Sequence, residues 1–153
     1  MLGDIRIRII GQHHRDLLLA MYDRFDPLGE ALGLPPRVDE ARRAWVQGAL
    51  HHAVNLAAFS SAGEAVGHCF LVRGEADAAE LAVFVHQEFR RIGVGTALVK
   101  AALQCAAAAG VRRVWSLTAS GNIAAIRLQL RCGFRPANPI YAETTLEIDL
   151  QAA

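Results

Sequence analysis

Glu80 and the segment Arg90-Arg91-Ile92-Gly93-Val94-Gly95-Thr96 are the residues of this chain whose types and spacing could do chemistry. The segment follows the β-forming run Val83-Phe84-Val85 and leads into helix formers from Thr96 to Ala109, so it joins a strand to a helix. The first N–H groups of such a helix have no intrahelical partner and lie at the positive end of its dipole. Gly93 and Gly95 leave this backbone uncovered, and Arg90 and Arg91 add charge, so the segment suits a phosphate or pyrophosphate. An ordinary turn is the alternative. A P-loop would need Gly-Lys-Ser/Thr, whereas Gly95 is followed directly by Thr96, and a dinucleotide fingerprint would need a third glycine where Leu98 stands. Glu80, in Ala79-Glu80-Leu81, is an acid inside an apolar strand. Such a placement is costly unless the acid is paired or functional, and burial would raise its pKa toward the range of a general base. A strand-end residue in solvent is the alternative.

The other reactive residue types offer less. His13-His14 and His51-His52 are adjacent pairs without the i, i+4 spacing of helical metal ligands, and read as surface residues. His68 and His86 are expected to flank the presumed cleft, where either could relay a proton. Cys69, Cys105 and Cys132 show no Cys-x-x-Cys spacing and read as free core thiols. No metal site is expected.

These residues need elements to hold them. Ile5, Ile7 and Ile9 alternate with Arg6, Arg8 and Ile10 as a half-buried strand, and the spacing of Leu17, Leu18, Met21, Tyr22 and Phe25 predicts a helix from His13 to Phe25. Proline and glycine bracket an irregular loop at Asp26-Pro27-Leu28-Gly29 and Gly33-Leu34-Pro35-Pro36, before a second helix from Asp39 to about His51. Asp23, Asp26, Glu30, Asp39 and Glu40 outnumber Arg24 and Arg37 here. That excess could draw an amine, though a solvated loop explains it more simply. Val54 to Phe59 and Ala65 to Arg73 read as a hairpin, Gly74 to Asp77 as a turn, and Ala79 to Val85 as the strand feeding the glycine segment. A strand from Val111 to Leu117, a helix capped by Ser120-Gly121-Asn122 and running to about Cys132, a left-handed Gly133, an irregular stretch with Pro136 and Pro139, and a strand from Thr144 to Leu150 complete the chain. The order β-α-α-β-β-β-α-β-α-β excludes a regular doubly wound sheet.

The 153 residues suffice for one core and read as a single domain, 1–153. Sixteen Lys+Arg against fifteen Asp+Glu give a net charge of +1, too balanced for a nucleic-acid or membrane surface. Apolar runs fall short of the about 18 residues of a membrane span, and no basic-then-apolar leader opens the chain. A soluble, cytoplasmic protein with a small-molecule or peptide partner is expected.

Arg90-x-x-Gly93-x-Gly95 resembles the acyl-CoA pyrophosphate loop of the GCN5-related N-acetyltransferase (GNAT) family, Gln/Arg-x-x-Gly-x-Gly/Ala. A second motif agrees: the family carries Asn-x-x-Ala-x-x-Leu-Tyr and then Gly-Phe, and Asn122, Ala125, Leu128, Gly133 and Phe134 fall in register. The resemblance covers residues 54 to 135 well. It implies an α/β fold with a mixed central sheet of about seven strands and helices on both faces. It also implies acetyl-CoA as cosubstrate, a primary amine as acceptor, and no metal. Val83, Phe84 and Val85 would hold the pantetheine arm through their backbones, Arg90, Arg91, Ile92, Gly93, Val94, Gly95 and Thr96 the pyrophosphate, and Asn122 would face the pantetheine or its water. Glu80 would be the base and the Val85 N–H the oxyanion donor. Ala79-Glu80 also looks like the domains that acetylate protein lysines, which favours a lysine acceptor while leaving small amines open. Homodimers are common in the family. One departure stands out: the family often has tyrosine, an acid for the leaving thiolate, where this chain has Gln129. Water or Tyr141 could serve instead, or transfer could proceed without a general acid. A non-catalytic CoA-binding module is the competing reading.

Overall fold

A computed structural model of the chain describes residues 3–137 and 143–150. Seven strands form one mixed sheet: β1 (Arg6–Ile10), β2 (Val54–Phe59), β3 (Ala65–Arg73), β4 (Ala78–Val85), β5 (Arg113–Ala119), β6 (Arg135–Pro136) and β7 (Glu143–Asp149), in the spatial order β1-β2-β3-β4-β5-β7-β6. Among the described residues there are four α-helices: α1 (Arg15–Asp23), α2 (Asp39–His52), α3 (Val94–Ala108) and α4 (Ile123–Arg131). Every neighbouring pair of strands is antiparallel except β4 and β5. That parallel pair is joined by the crossover helix α3, as parallel neighbours require.

Two apolar layers enclose the sheet. On one face α3 presents Leu98, Val99, Ala102 and Ala106 to Leu56, Cys69, Leu81 and Val114, and α4 packs beside it through Ile126 and Leu128. On the other face α1 and α2 bury Leu18, Met21, Tyr22, Val46 and Leu50 against Ala57, Phe70 and Phe84. The alternation of β4 divides accordingly: Leu81, Val83 and Val85 join the first layer, Ala82 and Phe84 the second.

The chain between α1 and α2 is tied down by one buried cation. Arg42 donates to the carbonyls of Pro36 and Arg37 at 3.1 Å each, and to the carboxylates of Asp23 and Asp39 at 3.2 Å each. Arg43 also bonds Asp39, and Arg37 bonds Glu30. The acidic excess of this region is therefore taken up in ion pairs that position the loop, and of the five acids only Asp26 and Glu40 have no such bond among the described residues.

The hairpin strands keep their expected bounds. The first helix is shorter than predicted: a 3₁₀ turn, Gln12–His14, precedes it, and it ends before Phe25. α3 begins two residues early, because Gly93 takes a left-handed φ of 94° and turns the chain straight into the helix. β5 lies two residues later than predicted, since the Val111 N–H is spent on the Ala106 carbonyl at the end of α3. The stretch after Gly133, expected to be irregular, contains β6, an edge strand where Pro136 needs no N–H. Pro139 and Tyr141 lie outside the described residues. No described helix is long and apolar enough to cross a membrane.

Candidate active site

The site begins where β4 and β5 part. They pair only through Ala78–Arg113, Ala79–Val114 and Glu80–Trp115. Beyond Glu80, β4 keeps β3 on one side and has no described strand on the other. The His86 N–H donates to the Val66 carbonyl at 2.9 Å. In an antiparallel ladder successive residues turn their backbone groups to opposite sides, so Phe84 also faces β3 while Val83 and Val85 face the gap. Of Val83, Phe84 and Val85, all expected at a ligand, two turn their backbone groups toward the gap. Phe84 instead gives its ring to the α1/α2 layer.

A 3₁₀ turn, Gln87–Phe89, follows. Gln87 fixes it to the end of α1, accepting from the Asp26 N–H at 2.9 Å and donating to the Arg24 carbonyl at 2.7 Å. The chain then passes Arg91, at φ 65°, and Gly93 into α3. The first bond of the helix runs from the Ala97 N–H to the Gly93 carbonyl at 3.0 Å. The N–H groups of Val94, Gly95 and Thr96 precede it and have no capping side chain. Arg91 is exposed at this terminus. Arg90 folds the other way: its Nε donates to the Val85 carbonyl at 2.8 Å and its guanidinium lies 5.3 Å from the Phe25 ring centroid.

Gly95 has a role that its spacing did not announce. A Cβ there would come within 2.9 Å of Leu128 Cδ2 on α4 and 3.5 Å of Val85 Cγ2. The glycine thus lets two helices meet behind the gap, besides baring its N–H. Gly95→Ala is expected to lower stability by about 1 kcal/mol, the low end for overpacking because the clash is with a side-chain tip. Urea unfolding measures it, and an unchanged midpoint would mean that Leu128 yields freely.

Glu80 stands at the mouth of the gap, paired across the sheet with Val72 on β3 and Trp115 on β5. It is half-buried, and burial raises its carboxyl pKa above the ordinary value. Among the described residues no hydrogen bond or ion pair engages it, so nothing nearby competes for its lone pairs.

Residues 18–134 match the pattern of the Acetyltransferase (GNAT) family, more than half of the chain. The chain belongs to the GNAT family. Solved structures agree on the fold. The GNAT domain of S. lividans PAT superposes with a TM-score of 0.83 at 22% identity, covering 95% of this GNAT chain and 90% of that one. The N-acetyltransferase of Staphylococcus aureus gives 0.77 at 19%, over 97% and 100%. The structure of yncA from Salmonella typhimurium with its cofactor acetyl-CoA gives 0.77 at 18%, over 99% and 96%. No curated protein matches the sequence significantly. GNAT members are acetyl-CoA-dependent acetyltransferases.

The remaining candidates of this GNAT chain are held by structure. His68 does not flank an open cleft: it is fully buried in the α1/α2 layer. Its Nε2 is 2.7 Å from Asn55 Oδ1, and its Nδ1 is 2.7 Å from the Tyr22 hydroxyl. Asn55 Nδ2 donates to two carbonyls, which fixes Oδ1 as an acceptor. His68 therefore carries its proton on Nε2, and Tyr22 donates to Nδ1. Burial depresses the imidazole pKa to about 3, too low for a relay at neutral pH. His86 is also buried, its Nδ1 capping the 3₁₀ turn at the Glu88 N–H and its Nε2 meeting no partner among the described residues.

Gln129, at the usual tyrosine position of the family, is buried under α4. Its Oε1 accepts a short bond from Ser116, and its Nε2 donates to Thr118 Oγ1 at 3.1 Å and the Ala125 carbonyl at 3.2 Å. It joins α4 to β5. Asn122 caps α4, its Oδ1 accepting from the Ala125 N–H at 3.2 Å. The sequence reading missed Gly67, where a Cβ would lie 2.8 Å from Leu98 Cδ1. Its only signal was a glycine inside a strand, the usual mark of a close approach.

Proposed function

We propose that this GNAT chain transfers an acetyl group from acetyl-CoA to a primary amine, a small molecule or a protein lysine, by direct attack and without a covalent enzyme intermediate. One observation carries the reading: β4 turns backbone groups into an open gap, and at its mouth stands a half-buried carboxylate with no partner among the described residues. Val83 and Val85 hold the pantetheine arm, whose amides need backbone partners of this kind. Arg91, Ile92, Gly93, Val94, Gly95 and Thr96 receive the pyrophosphate on free N–H groups at a helix terminus. Arg90 adds its charge on leaving the Val85 carbonyl, and Asn122 offers its Nδ2.

The cosubstrate supplies an activated acyl carbonyl. Glu80 takes the proton that the amine must lose, the nitrogen bonds to the carbonyl carbon, and the C–S bond breaks. The Val85 N–H, facing the gap, donates to the carbonyl oxygen. The departing thiolate takes its proton from water or from Tyr141, since Gln129 has none to give. The acetyltransferase domain is taken to span residues 1–153.

Thiol release from acetyl-CoA, measured against lysine peptides, polyamines, amino acids and monoamines, tests the reading. Amine-dependent release is expected. Tight CoA binding without turnover on any acceptor would favour the competing reading, a non-catalytic CoA-binding module. The burial of Gln129 where the family often carries tyrosine is the observation behind that alternative.

A further inference from the structure

A second concavity lies on the α1/α2 face of the sheet. It has a volume of about 250 Å³ and is walled by Trp45, Gly48, Ala49 and His52 of α2 and by Phe70 and Val72 of β3. The strand register fixes its place. Val72 pairs with Glu80 and Phe70 with Ala82, and cross-strand partners point to the same face. Glu80 therefore stands beside Val72 of this pocket on its β3 side and beside Trp115 on its β5 side, at the point where the β4/β5 gap opens. One strand spacing, about 4.8 Å, separates the floor of the pocket from β4.

The walls say what fits. Trp45 and Phe70 meet edge to face, 6.0 Å between centroids, and both rings belong to a packed aromatic cluster with Phe84. The wall is preformed. Among the described residues no carboxylate lines the pocket, and the one ionisable side chain there is His52, at the exposed end of α2. A polyamine or aminoglycoside would find no second acid there. An apolar cavity of about 150 Å³ accepts a benzene, so this one has room for a substituted ring.

Gly48 supplies an independent sign. It lies inside α2, where glycine is the poorest helix former after proline. A Cβ at this position would meet nothing within 4 Å, so no packing contact requires the glycine. What the missing side chain leaves is the open volume of the pocket.

We infer that this pocket receives the apolar group of the acceptor, and that the acceptor is a monoamine carrying a ring-sized apolar group about two carbons from its nitrogen. The inference rests on the assignment of Glu80 as the base. The ring lies on Trp45 and Phe70, the short linker crosses β4 at Ala82, and the lone ammonium meets the lone carboxylate of Glu80 before giving up its proton. Glu80 is the one acid on β4, and its single charge matches the single charge of the ligand.

The test compares 2-phenylethylamine with ethylamine, a lysine peptide and spermidine, using wild type, Gly48→Ala and Gly48→Leu. For wild type, kcat/KM is expected to be roughly 10- to 100-fold higher for 2-phenylethylamine than for ethylamine, the range for burying one ring. Gly48→Leu should raise KM for 2-phenylethylamine at least tenfold, with Gly48→Ala intermediate. Both variants should keep wild-type acetyl-CoA affinity and an equal or higher Tm, which a damaged fold would not. Equal kcat/KM for the two monoamines, preference for spermidine or the peptide, or an unchanged KM in Gly48→Leu overturns the inference and leaves the acetyltransferase reading standing. Ligand-observed NMR of 2-phenylethylamine with CoA present needs no turnover: binding lost in Gly48→Leu supports the pocket, and no binding to wild type overturns it. Absence of turnover on every amine, with CoA bound, counts instead against the proposed function.

Discussion

Glu80→Gln will lower kcat/KM for amine acetylation by roughly 10²- to 10⁴-fold, the usual contribution of a positioned general base. Glutamine keeps the shape of the side chain but cannot accept the amine proton. The substitution is a clean probe, because no hydrogen bond or ion pair ties Glu80 to another described residue and none is orphaned by its loss. Stability should hold or rise slightly, since a charge no longer sits half-buried at the sheet. Acetyl-CoA affinity should stay at the wild-type value, as the backbone of Val83 and Val85 and the amides of Val94, Gly95 and Thr96 are untouched. The pH profile supplies a second reading. A base works in its deprotonated form, so activity falls as the pH drops through its pKa. Burial raises the Glu80 pKa above the ordinary carboxylate value, which moves the acid limb of kcat/KM upward, and the limb vanishes in the variant. Equal turnover by wild type and Glu80→Gln would remove Glu80 from the mechanism.

The sequence was most legible where one local pattern admitted one structure. Val54–Phe59 and Ala65–Arg73 are strands with the predicted bounds, because β-forming runs are closed on each side by turn residues. The glycine segment and the Asn122 helix could be placed since each motif carries its own strand, turn and helix. What escaped depends on partners far along the chain. His68 looks available until Tyr22, 46 residues away, and Asn55, 13 away, close on both ring nitrogens. Gln129 reads as a gap in a motif, yet Ser116 and Thr118 make it a structural link. The acids between α1 and α2 read as an excess of charge, yet Arg42 of α2 lies buried among them. A glycine shows in the sequence only as a glycine. Whether it serves a left-handed turn, as Gly93 does, or a helix contact, as Gly95 does, depends on packing that no spacing encodes.

The second large effect is on stability in acid. His68 titrates at about 3 in the folded chain against 6.5 when exposed, so between these values the unfolded chain binds a proton that the native one refuses. Stability is therefore complete above pH 6.5 and is lost progressively below it. The loss from this residue should be about 2 kcal/mol by pH 5 and about 4 kcal/mol by pH 3. Carboxylates add their own terms in that range, so the comparison must be with His68→Gln. Its amide can still accept from Tyr22 and donate to Asn55, but it does not titrate. Urea unfolding at pH 7.5, 6 and 5 should show wild type losing about 2 kcal/mol more than the variant across the series. Parallel curves would mean that His68 takes up its proton in the folded state. The residue matters to function through its neighbour across the sheet. His68 pairs with Phe84 on β4, so the network it closes lies directly behind the strand that turns Val83 and Val85 toward the gap. Protonating His68 would charge the layer against which that strand rests.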